Sequence, residues 1–165
     1  MLDLETYSTL PTATIIQIGA CRFDFDNGIT DEFLCNVDPK SCLELGCHIS
    51  KDTLAWWQDK PQEIKDSLKV DRQPLPVMIE RFTEWAKQYK DAYVWCNGGS
   101  FDFPIISHAY HVCNIERPWP YWKEVDLRTV STLFDTKLSA SNTHNAMEDT
   151  KNQIEKLLAL FKGVS

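Results

Sequence analysis

The sequence predicts an α/β (α+β) domain in which a mixed β-sheet, antiparallel at its N-terminal strands, is flanked by helices. Residues 1–37 contain β-rich runs joined by an Asn-Gly hairpin motif. The rest of the chain alternates helical apolar spacing with short apolar runs that are typical of single buried strands. This order of elements favours one layered domain. A length of 165 residues suits a single unit covering residues 1–165.

Three strands are predicted in the N-terminal part of the chain, over residues 1–4, 14–25 and 29–37. In the second strand we expect Ile16, Ile18 and Ala20 on one face, because side chains alternate along a strand. Asp26-Asn27-Gly28 predicts a tight hairpin, since Asn-Gly accepts the positive φ that such turns need. The third strand ends at Asp38-Pro39, and the hairpin implies antiparallel pairing.

Helices are predicted where apolar residues recur every three or four positions. They cover residues 50–57, 61–68, 74–89, 101–113, 127–134 and 145–162. Ser50 suits the N-cap of the first helix, and Pro61 suits the first turn of the second. Two strands and two loops interrupt the helices, with strands at 92–96 and up to Asp126 and loops at 118–120 and 139–143. The side chains of the last helix that should face inward are Met147, Thr150, Ile154, Leu157, Leu158 and Phe161.

Composition excludes several classes of protein. Hydrophobic residues make up 43% of the chain and the net charge is −7, so a disordered chain is excluded. No run approaches the ~18–20 consecutive apolar residues of a membrane span, and no signal peptide follows Met1. We therefore expect a cytoplasmic protein without membrane contact. The acidic balance disfavours phosphate binding through basic residues alone, but it is compatible with an enzyme that meets phosphates through bound metal ions.

Six cysteines without a C-x-x-C pair are expected to be reduced, mostly buried thiols. Cys42, Cys47 and His48 leave two alternatives open. One is part of a zinc site, for which the spacing is poor and a fourth ligand is not apparent. The other is a thiol enzyme that uses Cys47 and His48, for which the sequence holds no supporting motif.

Acidic residues stand at the start or end of three predicted apolar elements. Asp3 and Glu5 form D-x-E at the end of the first strand, where residues i and i+2 share a face. Asp102 lies in the first turn of a helix, and Asp149 lies in the first turns of the last helix with His144 just before it. Each acid alone could be a solvated strand end or a match to a helix dipole. Together they place four carboxylates and one histidine where they could converge at one mouth of the sheet.

Such a cluster would suit divalent metal chemistry. Carboxylate oxygens are ligands that Mg²⁺ and Mn²⁺ prefer, and two such ions about 3.5–4 Å apart can clamp the reacting oxygens of phosphodiester hydrolysis. A histidine adds a group with a pKa of about 6.5 that can take a proton from the attacking water. The predicted catalytic set is therefore Asp3, Glu5, Asp102, His144 and Asp149, with two divalent cations as cofactors.

These motifs resemble those of the DEDDh 3′–5′ exonucleases, a ribonuclease H-like group that includes proofreading exonucleases, oligoribonuclease and ribonuclease T. The resemblance covers nearly the whole chain and is carried by Asp3-Leu4-Glu5-Thr6, Asn97 to Ile105 and the H-x-x-x-x-D motif from His144 to Asp149. More narrowly, the chain is similar to the ribonuclease AS-like branch, which also holds phage exonucleases. The segments that resemble this branch are Thr53 to Trp57, Pro118 to Trp122, Asp126 to Thr129 and His144 to Ala146.

The resemblance implies a ribonuclease H-like fold and a role for each matched position. Asp3, Glu5 and Asp149 would hold the metal ion that activates water. Asp3 would also bridge to a second ion, which Asp102 would reach directly or through water, and His144 would be the general base. Similar enzymes release nucleoside 5′-monophosphates stepwise from a single-stranded 3′ end. The chain departs from the family in that two residues precede the first acid, so the first strand is either short or begins late relative to the family.

Further residues are predicted to contact the substrate. The resemblance implies that Thr6 and the residues after it line the pocket for the 3′-terminal nucleotide, and Phe101 belongs to the second motif. Arg128 could neutralise a phosphate or could instead form an ion pair with Asp126 or another acid.

Tryptophans are the other predicted substrate contacts, because single-stranded nucleic acid is commonly held by base stacking. Trp56 and Trp57 point about 100° apart on a helix, so one should pack inward and the other could face the cleft. Trp119 and Trp122 are further candidates. Packing in the core or at its rim is the alternative for all four.

The sequence thus predicts a metal-dependent 3′–5′ exonuclease that acts on single-stranded nucleic acid. RNA is favoured over DNA because the closer branch includes an RNA enzyme. One alternative is a DNA-directed exonuclease of the phage type. Another is a catalytically idle module of the same fold that binds nucleic acid or a protein, although such a module would not need all five catalytic residues. The oligomeric state is open, and a homodimer is among the possibilities.

Overall fold

The computed structural model describes residues 1–134 and 143–162. Its strands are β1 (Leu2–Thr6), β2 (Ile15–Asp24), β3 (Gly28–Asn36), β4 (Val94–Cys96) and β5 (Glu124–Asp126). Its α-helices are α1 (Pro39–Glu44), α2 (Lys51–Gln58), α3 (Gln62–Ser67), α4 (Leu75–Lys87), α5 (Gly99–Val112), α6 (Leu127–Leu133) and α7 (Ala146–Lys162), and a 3₁₀ helix covers Tyr121–Lys123. No helix within the described ranges combines the length and apolar character that a membrane crossing needs.

Both predicted kinds of strand pairing are present. β1, β2 and β3 form an antiparallel sheet in that order, and β4 pairs with β5 in parallel. In the β1–β2 register, Asp3 lies opposite Gly19 and Glu5 lies opposite Gln17. β1 also contacts β4, α5 and α7. The end of β1 is therefore surrounded by elements from the middle and the end of the chain.

Ile16 does not share the face of Ile18 and Ala20, contrary to expectation. A register shift at the end of β1 gives β2 one extra residue at this point, and such a bulge disturbs the alternation of side chains. Ile15 joins the main core with Ile18, whereas Ile16 packs in a separate cluster with Trp57.

Other differences lie at the ends of elements. α1 was not predicted, because Asp38-Pro39 indicated only the end of a strand. In the structure the same two residues also start a helix, and the Asp38 carboxylate accepts a hydrogen bond from the Lys40 N–H at 3.1 Å. β1 runs to Thr6 instead of ending at residue 4, because the residues at its end continue the pairing with β2. Phe161 was expected to face inward but is exposed near the end of α7. Residues 139–142 of a predicted loop lie outside the described residues.

The start of α7 docks directly on β2. A Cβ atom on Gly19 would lie 2.5 Å from the carbonyl carbon of Ala146, so a larger residue would push the helix away. The Gln17 side-chain oxygen accepts a hydrogen bond from the Ala146 N–H at 2.8 Å. This close approach places the first turns of α7 beside the acids at the end of β1.

Candidate active site

Three carboxylates meet where β1 lies against α7. Asp3 and Glu5 lie two residues apart on β1 and so share a face, and Asp149 comes from the first turn of α7. One oxygen atom of each lies within 4.8 Å of the others. Glu5 and Asp149 are buried and Asp3 is half-buried. The structure thus gathers three of the four predicted metal ligands, and their role as ligands stays a prediction.

Asp102 adjoins this cluster from the first turn of α5. Its Oδ1 accepts a hydrogen bond at 3.2 Å from the backbone N–H of Leu4, the residue between Asp3 and Glu5. Gly98 has a φ of 131°, which favours glycine and turns the chain from β4 into α5. Asp102 is buried, and it borders the 4.8 Å group without being part of it.

The Asp149 carboxylate also holds the turn that carries His144. Its Oδ1 accepts hydrogen bonds from the Thr143 N–H at 2.7 Å and hydroxyl at 3.1 Å, and its Oδ2 accepts one from the His144 N–H at 2.9 Å. His144 has a φ of 58°, a left-handed conformation that these hydrogen bonds stabilise. The position of the histidine is therefore coupled to that of the carboxylate.

Gln153 is a site residue that the sequence motifs did not indicate. It lies one helical turn after Asp149, and its Nε2 donates a hydrogen bond to the Asp3 Oδ1 at 2.7 Å. The residue is 7% exposed, and its Oε1 has no hydrogen-bond partner among the described residues. A polar residue among the inward-facing positions of α7 is the pattern that could have revealed it. Gln153 orients Asp3 and leaves a buried acceptor of the kind that a bound ion or water satisfies.

Burial and mutual repulsion raise the pKa values of the acids. Burial, followed by the charges of Asp102 and Glu5, raises the pKa of Asp3 well above its usual value. Burial, followed by the charges of Asp149 and Asp102, raises the pKa of Glu5 to about 8. Burial is the main cause that raises the pKa of Asp102 to about 7. A cation among these oxygens would offset the repulsion, and an all-oxygen donor set matches Mg²⁺ or Mn²⁺, so the residues fit a divalent metal site.

The adjacent tryptophans of α2 differ in environment. Trp57 is 5% exposed, and its Nε1–H donates a hydrogen bond to the Thr6 carbonyl oxygen at 2.8 Å. Trp56 is 42% exposed, and its ring centroid lies 4.7 Å from that of His144. One tryptophan thus packs inward and the other lies beside the candidate general base. Trp57 supports the backbone next to Glu5 through its hydrogen bond to Thr6, and substrate contact by Trp56 or Trp57 stays a prediction.

The remaining predicted substrate contacts have varied surroundings. Thr6 is buried, and Phe101 is half-buried against the main core. Arg128 is exposed, and its Nη2 donates a hydrogen bond to the Asn97 carbonyl oxygen at 3.2 Å. The alternative, an ion pair with Asp126 or another acid, is not formed among the described residues, and the Asp126 carboxylate accepts the Arg128 backbone N–H as the N-cap of α6. Substrate contact by Thr6, Phe101 and Arg128 stays a prediction.

The cysteine alternatives gain no support from the structure. All six cysteines are unpaired thiols, and five are buried. Within residues 1–134 and 143–162, the group of three or more possible metal ligands consists of Asp3, Glu5 and Asp149. Cys42, Cys47 and His48 therefore do not form a zinc site. The His48 Nδ1 lies 2.8 Å from the hydroxyl of Ser8, a partner other than a thiol.

A cavity of about 310 Å³ lies away from the acids, between the start of β1, the end of β2 and the start of β4. Its walls are mainly apolar, and none of the five predicted catalytic residues lines it. Trp119 lines this cavity and is buried, whereas Trp122 is exposed. The acidic cluster, and not this cavity, is therefore the candidate active site.

Comparisons with known proteins agree with this geometry. The family profile described as the 3′-5′ exoribonuclease Rv2179c-like domain matches residues 1–161. An exodeoxyribonuclease of Enterobacteria phage T4 is 23% identical in an alignment of 159 positions, and the match covers 78% of this chain and 68% of that protein. The crystal structure of cell-death related nuclease 4 (CRN-4) has a TM-score of 0.68 at 19% identity, which shows a shared fold. The match covers 98% of this chain and 62% of that chain, so this chain spans less than two thirds of its length.

Proposed function

Since the chain belongs to the 3′-5′ exoribonuclease Rv2179c-like domain family and is a 3′–5′ exonuclease domain, we propose that it degrades single-stranded nucleic acid stepwise from the 3′ end. The products are nucleoside 5′-monophosphates, and RNA is the favoured substrate. The observation that carries the proposal is the gathering of Asp3, Glu5 and Asp149 within 4.8 Å, with Asp102 and His144 adjoining.

Two divalent cations, Mg²⁺ or Mn²⁺, would be held by Asp3, Glu5, Asp102 and Asp149. When bound, such ions lower the pKa of a bound water and offset charge on the phosphodiester. The chain's own contribution is to fix the ligands before substrate arrives. Gln153 orients Asp3, and the Leu4 backbone N–H orients Asp102.

His144 acts as the general base, because a neutral imidazole can accept the proton of the attacking water. Burial lowers the pKa of His144, and the charge of Lys60 lowers it further, which keeps the ring neutral at physiological pH. The rate of the chemical step should therefore fall when the pH drops below about 6. A rate that is flat between about pH 5 and 8 would contradict this role.

The proposal also specifies the sugar of the substrate, ribose or deoxyribose. The family description names an exoribonuclease, which supports RNA, whereas the phage T4 relative is named an exodeoxyribonuclease, which supports DNA as the second candidate. The two differ at the 2′-hydroxyl, which a single polar contact can read. An idle binding module is disfavoured because all five catalytic residues are present.

The test uses matched RNA and DNA oligonucleotides labelled at the 5′ end, incubated with purified protein and Mg²⁺ or Mn²⁺. We expect a ladder that shortens from the 3′ end, faster for RNA, with nucleoside 5′-monophosphates in the soluble fraction and no reaction in EDTA. Internal cuts, or digestion that proceeds equally in EDTA, would contradict the proposal. A homodimer stays a prediction that light scattering on the eluted protein tests.

A further inference from the structure

Lys60 follows α2 and lies close to the candidate general base. Its ammonium nitrogen lies 3.6 Å from the centroid of the Trp56 ring. No carboxylate oxygen of the described residues lies within 4.0 Å of this nitrogen, whereas Lys40, Lys69 and Lys151 each pair with an acid. The Lys60 charge is thus held by an aromatic face and keeps its hydrogen-bonding capacity for another anion.

Trp56 connects Lys60 to the site. The Trp56 ring lies 4.7 Å from the His144 ring at an interplanar angle of 82°, and 5.1 Å from the Trp57 ring at 83°. Because Lys60 covers one face of the indole, a nucleotide base cannot stack on that face while the ammonium stays there. The contact therefore points to a role for Trp56 in placing a cation.

A polyanion that reaches this site meets four carboxylates in a chain of net charge −7. Favourable approach needs positive charge along its path in addition to bound metal ions. Lys60 stands on the Glu5 and His144 side of the cluster, where its charge lowers the pKa of Glu5 against the larger effect of burial. Arg128 stands beside Gly98, on the Asp102 side.

We propose that Lys60, held in place by the Trp56 indole, binds a phosphate of the substrate backbone next to His144. This inference rests on the proposed function and deepens it. The ligand is a phosphodiester group, whichever base it carries, and Trp56 is a positioning residue for Lys60.

A double-mutant cycle tests the proposal, with kcat and KM measured for the wild type, Lys60→Gln, Trp56→Ala and the double variant. Losing one charged contact to phosphate should raise KM about 10-fold with little change in kcat. Trp56→Ala should raise KM in the wild-type background but add little in the Lys60→Gln background, because both changes remove one contact. The slope of log(kcat/KM) against log salt should become shallower by about 0.7 for Lys60→Gln.

Lys40→Gln is the matched control, since it removes the same charge from a highly exposed side chain on α1. It should leave KM and the salt slope at wild-type values. Circular dichroism melts verify that every variant is folded. If the KM increases of the two single variants multiply in the double variant, the positioning role of Trp56 is wrong. If Lys60→Gln behaves like Lys40→Gln, the phosphate subsite is wrong.

A second measurement separates this inference from the proposed function. Binding of a hydrolysis-resistant phosphorothioate oligonucleotide in Mg²⁺, followed by fluorescence anisotropy, does not require cleavage. If the wild type cleaves nothing, the proposed function fails, and the anisotropy cycle still decides the Lys60 subsite. Equal affinity of the wild type and Lys60→Gln would refute the subsite even in an active enzyme.

Discussion

The two sides of the candidate site are built differently. On the β1–α7 side, the acids are buried or half-buried, and the Asp149 carboxylate alone accepts three hydrogen bonds. On the solvent-facing side, Trp56 beside His144 and Arg128 beside Gly98 are exposed side chains with few polar contacts. This contrast fits the proposal that groups anchored by the fold carry the chemistry, whereas exposed surface side chains contact the substrate. Changes on the first side should abolish catalysis, and changes on the second should alter affinity.

Asp149 should be the position most sensitive to substitution. Asp149→Asn removes the charge of a proposed metal ligand and replaces one carboxylate oxygen, an acceptor of the Thr143 and His144 hydrogen bonds, with an NH₂ donor. Because metal stabilisation of the transition state amounts to several kcal/mol, nucleotide release should fall at least about a thousandfold. Asp66→Asn is the control, since Asp66 is an exposed partner of Lys69 on α3. Activity within about tenfold of wild type for Asp149→Asn would remove Asp149 from the catalytic set.

Gln153 should affect the proposed metal site indirectly, because its side chain orients Asp3. Gln153→Leu keeps a buried side chain of similar size but removes the hydrogen bond to Asp3. Loss of such an outer contact typically weakens metal binding about 10- to 100-fold, which a Mn²⁺ titration measures. Asn152→Leu changes the preceding amide on α7 and should leave the affinity unchanged. Equal Mn²⁺ affinity for both variants would show that Asp3 is oriented without Gln153.

Gly19 tests whether the β1–α7 side depends on close packing. Gly19→Ala places a methyl group 2.5 Å from the Ala146 carbonyl carbon, so α7 must shift. Overpacking of this kind costs about 1–3 kcal/mol of unfolding free energy, measured by urea denaturation. Activity should fall as well, because Asp149 and His144 move with the helix. Unchanged stability would mean that α7 is not held against β2 as described.

The buried acids should also make the stability of the metal-free protein depend on pH. Because the folded-state pKa values of Glu5 and Asp102 lie above those of the unfolded chain, the folded protein holds extra protons, and stability falls as pH rises from about 5 to 8. Burial lowers the pKa of the Met1 amino group to about 5. This group makes stability rise with pH over the same range, which offsets part of the loss caused by Glu5 and Asp102.

A comparison with Glu5→Gln isolates the carboxyl, because the Met1 contribution cancels. In EDTA, thermal melts of Glu5→Gln should lose less stability between about pH 5 and 8 than those of the wild type. Parallel pH curves for the two proteins would show that Glu5 keeps its ordinary pKa in the fold.

The sequence indicates the candidate site residues more readily than the residues that hold them in position. Asp3 and Glu5 could be paired because residues two apart share a strand face, and Asp102 and Asp149 could be placed because both follow helix-start patterns. Gln153 could not be assigned to Asp3, because 150 positions separate the two residues and only the packing of α7 on β1 joins them. For the same reason no local pattern distinguishes Gly19, which is needed for the approach of Ala146, from an ordinary strand glycine.

The fold shows the same limit. Strand and helix order followed from apolar periodicity, but the bulge that moves Ile16 to another cluster depends on how β1 and β2 pair. Similarly, a helix period places Trp56 and Trp57 about 100° apart but cannot say which one faces inward. The Trp57 hydrogen bond to Thr6 decides that, through contact with a distant strand.

The most direct test of the account is a Mn²⁺ titration of metal-free protein followed by electron paramagnetic resonance. We expect loss of the free Mn²⁺ signal with two ions bound per chain, and sharply weaker binding in Asp3→Asn, because Asp3 belongs to the 4.8 Å cluster and would bridge both ions. Wild-type protein that leaves the Mn²⁺ signal unchanged, or an Asp3→Asn variant that binds Mn²⁺ as the wild type does, would contradict the assignment of a metal-dependent exonuclease site.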